Sequence, residues 1–140
     1  MTLEPLLSAD PAIRAHAITA LISIPLGLVQ IVGVKGNLAH RTLGTAWVGL
    51  MALVAGSSLF IYDERPFGEP FWTGYSWIHG LTAFTIVMLL IGIREVRRPG
   101  PEMKAHGRGF IFLFVGGLVI TGGFTLLPGR VMHAVVFGAP

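Results

Sequence analysis

The chain has 140 residues, of which 53% are hydrophobic and 12% are charged, and its formal net charge is +3. Soluble domains carry about 25% charged residues, so this composition excludes an ordinary soluble protein. The absence of cysteine excludes disulfides, thiolate metal sites and redox thiols.

Four apolar runs follow one another along the chain, at residues 12–34, 42–61, 77–93 and 109–127. Runs of about 20 apolar residues are long enough to cross a bilayer as helices. Short connections leave no room for a soluble domain. We therefore predict an all-α protein with a single transmembrane domain over residues 1–140, folded as a four-helix bundle of two tandem hairpins. The first ten residues carry Glu4 and Asp10 and no basic front region, so they do not resemble a cleaved signal peptide.

Local signals agree with the ends of these runs. Asp10-Pro11 is typical of a helix cap followed by proline at the first helical position, and Glu69-Pro70 is similar. Pro25 lies inside the first run and predicts a kink there. The tail 130–138 is too short to cross a membrane, and we expect it to lie along the interface.

The distribution of basic residues predicts an orientation. Loops one and three together hold seven basic residues: Lys35, Arg41, Arg94, Arg97, Arg98, Lys104 and Arg108. The loop between the second and third runs holds three acidic residues and only Arg65. Because basic loops stay in the cytoplasm, we expect a protein of the cytoplasmic membrane with both termini outside. An aromatic anchor should mark the outer interface: Trp72, Tyr75 and Trp77. The positive charge reflects this topology and does not indicate nucleic-acid binding.

An internal repeat relates the two halves. His16-Ala-Ile-Thr-Ala-Leu opens the first run, and His79-Gly-Leu-Thr-Ala-Phe opens the third, 63 residues later. Ala39-His40 and Ala105-His106 precede the second and fourth runs. Two copies that each cross out and back are related by a pseudo-two-fold axis along the membrane normal. Such an axis should bring His16 to His79 near the outer face and His40 to His106 near the inner face.

Glycines also follow the repeat. At an offset of 67, Thr42, Gly49 and Gly56 align with Gly109, Gly116 and Gly123. Spacing by sevens places each triplet on one helix face, where small residues permit close helix packing. We therefore expect Gly49, Gly56, Gly116 and Gly123 to face neighbouring helices, and Gly92, outside this register, to tolerate a larger side chain.

Paired histidines from different membrane helices are typical ligands of a b-type haem iron. Ionisable residues in apolar helices are costly and often functional. His16, His79, His40 and His106 are the candidate cofactor and metal ligands. Small residues beside them would leave space for a porphyrin, and Arg14, Arg41 and Arg108 would neutralise its propionates. Residues 16 to 34 span roughly 27 Å of helix, which places the two histidine levels almost a full membrane thickness apart. That distance is long for direct electron transfer between two haems, so haem at the outer pair alone is an alternative.

Simpler roles remain open for the same histidines. His40 and His106 stand where basic loops meet lipid headgroups, and such residues often contact phosphates. His16 and His79 would then cross-link helices by hydrogen bonds, and His133 in the tail would be interfacial. The four runs hold no carboxylate, which argues against di-iron chemistry and makes a permease the weaker alternative.

Two resemblances extend these observations. The stretch from Ala39-His40-Arg41-Thr42-Leu43-Gly44, with His106 and the ending 124–133, resembles an uncharacterised bacterial family of small membrane proteins, domain of unknown function 2306. The architecture is similar to the ascorbate-reducible membrane cytochromes b. In those, four core helices hold two haems, one between alternate helices on each side. This chain lacks their extra helices, and its histidines lie nearer the membrane surfaces.

These resemblances imply one or two b-type haems in a bacterial inner-membrane protein of electron transfer, with a quinone or a membrane oxidoreductase as its partner. The alternative is a non-catalytic accessory subunit, packed against a respiratory or photosynthetic complex through its glycine faces. Membrane lipid surrounds the protein in either case.

Overall fold

The computed structural model describes residues 2–61, 79–98 and 101–138, without the side chains of residues 101–105. The described chain is all-helical, as predicted. Four of its helical segments are long and apolar enough to cross a membrane: Pro11–Val32, Leu38–Ser58, His79–Arg97 and His106–Phe124. The expected acidic loop, the cap at Glu69-Pro70 and the aromatic anchor lie outside the described residues.

The first span begins where its sequence predicts. A short helix, α1 (Glu4–Leu7), precedes α2 (Pro11–Val32), and the Asp10 carboxylate accepts a hydrogen bond of 2.8 Å from the Ala12 amide. Proline occupies the first helical position, where its missing N–H costs nothing. α2 continues through Pro25. The turn that follows includes Gly36, whose φ of +81° favours glycine.

The second span begins before its predicted run and ends three residues short of it, and the third span continues after its predicted run. α3 (Leu38–Ser58) begins earlier than residue 42 because the Asn37 side chain accepts a hydrogen bond of 2.7 Å from the His40 amide. α4 (His79–Arg97) continues past residue 93, so Glu95 lies within it. The expectation that the spans hold no carboxylate is therefore wrong at Glu95, because the helix does not end where its apolar run ends.

The fourth span changes its helical geometry midway. α5 (Pro101–Phe114) passes into a π-helical segment (Val115–Ile120) and then into α6 (Thr121–Phe124). In the tail, α7 (Val131–Phe137) packs against α1 and buries Val135, while Leu6 of α1 is also buried. Single-turn π segments are rare and often mark functional sites.

The four spans pack as a ring. α2 lies against α3, α3 against α4, α4 against the fourth span, and the fourth span against α2. Consecutive spans are antiparallel, so the N-termini of α2 and α4 share one end of the bundle, the His16 end. The N-termini of α3 and α5 share the other, the His40 end. α2 and α4 therefore stand on opposite sides of the ring, as do α3 and α5.

The core lies between these two ends. Its buried members are Trp47, Met51, Leu89, Leu113, Phe114 and Leu118. The Trp47 indole donates a hydrogen bond of 3.0 Å to the Ser23 carbonyl of α2, and its ring meets Phe110 edge to face at 5.7 Å. Outward-facing apolar side chains are exposed instead, among them Leu28 (52%), Leu90 (62%) and Phe112 (65%). Lipid is the environment that accepts such a surface.

Buried positions follow the predicted repeat. At the offset of 67, Trp47 of α3 corresponds to Phe114 of α5, and Met51 corresponds to Leu118 in the π segment. All four side chains are buried in the same core. The two halves thus contribute equivalent residues to the centre of the bundle, as a pseudo-two-fold relation requires.

The predicted glycine register is wrong at three of its four positions. Among the described residues, no heavy atom beyond the local helix lies within 4 Å of a methyl group built at Gly49, Gly56 or Gly123. These glycines leave open space and do not mediate helix contacts. At Gly116 the same methyl group would lie 2.7 Å from the Phe84 ring of α4, so this glycine does permit close packing.

Close packing occurs at two glycines outside the register. A methyl group at Gly92 would lie 2.5 Å from the Phe110 ring, and one at Gly27 would lie 2.5 Å from the Phe114 ring. The expected tolerance of Gly92 is therefore wrong, because the contact depends on where α5 places its phenylalanines. Spacing by sevens identifies a helix face, and only the rotation of the helix decides what that face meets.

Candidate functional site

His16 is held by the backbone of the neighbouring helix. Its Nδ1 lies 2.9 Å from the Val54 carbonyl oxygen and 3.2 Å from Ser57 Oγ of α3. A carbonyl oxygen only accepts, so Nδ1 carries the proton and Nε2 carries a lone pair. Histidines that ligate a metal are usually fixed in this way, with one ring nitrogen donating to a carbonyl.

His79 lies at the same end but nearer the surface. It is the first residue of α4, and its Nε2 donates to the Ile61 carbonyl at 2.9 Å. Thr82, three residues later, is level with Ser58 of α3, because their hydroxyls are 2.9 Å apart. His79 therefore lies about 4.5 Å further toward the end of the bundle than that pair.

A cavity of about 50 Å³ lies at the His16 end, between α2, α3, α4 and the fourth span. Five polar side chains contribute to its lining: His16, Ser58, Thr82, Thr85 and Thr121. His79 is not among the lining residues. The π segment contributes Gly117, and Thr121 Oγ1 donates to the Gly116 carbonyl five residues earlier at 2.8 Å. A cavity of this size has room for a few water molecules.

These hydroxyl residues were not among the sites predicted from the sequence. One signal for Thr82 was present, since both repeats read His-x-x-Thr at His16 and His79. Thr19, the first copy, donates to the Ala15 carbonyl of its own helix, whereas Thr82 bonds across to α3. No sequence signal indicated Thr121, because its place depends on the π segment.

His40 and His106 meet at the opposite end. Both are partly buried, and they are close enough for their charges to interact, as is Lys35 with His40. The His106 ring lies edge-on to Phe110 at 6.0 Å. The structure thus places both residues of the predicted inner pair at one end of the bundle, on opposite helices, and Arg41 and Arg108 near them in the sequence are exposed.

The two histidine levels are closer than predicted. His40 and Val54, the partner of His16, are separated by fourteen residues of α3, or about 21 Å of helix. The expected separation was roughly 27 Å. Trp47 lies halfway, seven residues from each, on the same face of α3. The difference arises because His40 lies inside α3 and His16 bonds to Val54, about one turn before α3 ends.

The residues fit a b-type haem in their donor chemistry. Each end offers two imidazoles from opposite helices, and the described residues contain no cluster of three or more His, Asp or Glu that would favour another metal. The cavity beside His16 is smaller than the roughly 300–1,000 Å³ of ordinary ligand pockets. A porphyrin would therefore require α2 and α4 to separate.

His133 is engaged locally. Its Nδ1 donates to the Leu126 carbonyl at 2.8 Å, and its ring stacks obliquely on Phe137 at 5.0 Å. These contacts hold α7 to the preceding turn, and they involve none of the other four histidines.

Comparison with known proteins places the chain in a family. No curated protein and no solved structure matches it. A family model described as "Predicted membrane protein (DUF2306)" matches residues 13–133. That match includes all five histidines and all four spans apart from the first two residues of α2, and the chain therefore belongs to the DUF2306 family of predicted membrane proteins.

Proposed function

We propose that this protein binds one or two b-type haems and transfers electrons across or within the membrane. The observation that carries the proposal is the arrangement of the four histidines. Two of them lie at each end of the bundle, and the two at each end come from helices on opposite sides of the ring. His16 and His79 would hold one haem, and His40 and His106 the other.

Each part of the bundle has a role in this proposal. The Val54 carbonyl fixes the tautomer of His16 and so leaves Nε2 as the ligand atom. Arg108, which is exposed near His106, supplies positive charge for propionates at the His40 end. The buried layer around Trp47 excludes water between the two levels. When bound, the haem iron supplies a one-electron redox couple.

The proposed electron partner is a quinone or a membrane oxidoreductase, because the proposed haems would lie within a bundle of membrane-spanning helices. We also infer that the His40 end is cytoplasmic in a bacterial inner membrane, since the basic loops flank it. A reporter fused after residue 140 should then be active outside. Activity only in the cytoplasm would reverse this orientation without affecting the haem proposal.

The direct test is a visible absorption spectrum of the protein, purified from cells with ample haem supply. We expect a Soret band and the sharp α-band of six-coordinate reduced haem. Protein that is folded and pigment-free under these conditions would overturn the proposal. Co-purification of such protein with a large membrane complex would then favour the accessory-subunit alternative.

A further inference from the structure

An amphipathic groove lies on the outside of the bundle at the His40 end. It has a volume of about 80 Å³ and lies between the C-terminal part of α2 and the N-terminal part of α3. Eight residues line it: Val29, Gln30, Gly33, Val34, Asn37, Ala39, His40 and Leu43. Its aliphatic side chains are open to the surroundings, with Val29 48% and Val34 76% exposed.

Two cations lie in the segment that borders this groove. The Lys35 ammonium donates hydrogen bonds to the Gln30 and Ile31 carbonyls, which fixes its charge at the C-terminal end of α2. Arg41 is exposed, and within the described part of the chain its guanidinium has no hydrogen-bond or ion-pair partner. No carboxylate lines the groove among the described residues. The side of the groove near Lys35 and Arg41 is therefore positively charged, and no carboxylate among the described lining residues neutralises this charge.

We propose that this groove binds an anionic phospholipid. The phosphate would lie between Lys35 and Arg41, with the Asn37 and Gln30 amides as further hydrogen-bonding groups. The start of an acyl chain would follow Val29 and Leu43 toward the membrane interior. An inorganic phosphate would use only the charged part, and a zwitterionic lipid would bring its own cation close to Arg41. Both the apolar lining and the unpaired charge are thus accounted for by one ligand class.

Native mass spectrometry of the detergent-solubilised full chain tests this proposal. The protein would be equilibrated with dioleoyl phosphatidylglycerol, dioleoyl phosphatidylcholine or inorganic phosphate. We expect retention of one phosphatidylglycerol in preference to phosphatidylcholine, and no displacement by millimolar phosphate. Arg41→Gln and Lys35→Gln should each weaken retention about fivefold. Leu43→Asn should weaken it as well, because it removes part of the apolar lining.

Arg97→Gln is the matched control, since Arg97 is an exposed cation of the same end on α4. It should leave retention unchanged. A loss with Arg97→Gln equal to that with Arg41→Gln would show only a diffuse charge effect and overturn the site. Equal retention of the two lipids, or complete displacement by phosphate, would also overturn it. All variants keep the four paired histidines, so haem absorption is read separately and a failure of the haem proposal does not affect this test.

Discussion

The two ends of the bundle use the same residue type in different surroundings. At the His16 end, His16 and His79 donate to backbone carbonyls, and hydroxyl groups line a cavity beside His16. At the His40 end, His40 makes no ring hydrogen bond within the described chain and lies among cations. A pair of histidines on opposite helices therefore meets different surroundings at the two ends of the bundle.

The difference has a structural origin. His16 lies in the second turn of α2, where the last turns of α3 cover it. His40 lies in the first turn of α3, because the Asn37 cap starts that helix early. The residue at which a helix begins, relative to the adjacent helix, thus decides whether its histidine is covered by that helix or lies near the end of the bundle.

The largest expected effect is the loss of one haem without the other. His16→Ala and His79→Ala should each abolish or convert the same centre, because a six-coordinate haem loses an axial ligand with either change. His40→Ala and His106→Ala should affect only the second centre. Difference spectra and redox titrations of the four variants measure this pattern. Loss of both centres in every variant would indicate that the ends are not independent.

The His133→Ala variant is the control for these spectra, since His133 bonds to Leu126 and stacks on Phe137 and is not one of the four proposed ligands. It should keep the full wild-type absorption. Haem loss in this variant would mean that the ligand assignment is wrong.

Substitutions at Gly92 and Gly49 should affect the stability of the bundle in the opposite order to that expected from the glycine spacing. Gly92→Leu should destabilise the bundle by about 1–3 kcal/mol or prevent its assembly, because the Phe110 ring occupies the space that a side chain needs. Gly49→Leu adds the same volume toward open space and should be nearly neutral. Unfolding in mixed detergent micelles compares the two. Equal losses would contradict the described rotation of α4.

A smaller effect on stability should distinguish a polar side chain at the His16 end from one at the His40 end. Thr82→Val removes a hydroxyl that joins α4 to Ser58 of α3, and it should cost about 1 kcal/mol. Glu95→Gln at the His40 end should not destabilise the protein, because Glu95 Oε2 is buried without a hydrogen-bond partner among the described residues. The same unfolding assay measures both. A larger loss for Glu95→Gln than for Thr82→Val would reveal a partner for that carboxylate.

Much of the architecture follows from local sequence. Four apolar runs of membrane length predict the four spans, and Asp10-Pro11 predicts the start of α2, because spanning length and helix capping depend on neighbouring residues alone. The same holds for the end of the bundle at which each histidine lies. The position of Glu95 within a helix was not predicted, because the third apolar run ends at residue 93 whereas α4 continues to Arg97.

The amino-acid sequence by itself thus determined an all-helical membrane protein with four spans and histidines paired by end. Tertiary structure alone decided the rest: that Gly92 and Gly27 rather than Gly49 face aromatic rings, that Thr82 and Thr121 share a cavity with His16, and that a groove lies beside Arg41. The physical reason is that helix formation is governed by contacts within a few residues. Rotation and depth of one helix against another depend on side chains that are far apart in the chain.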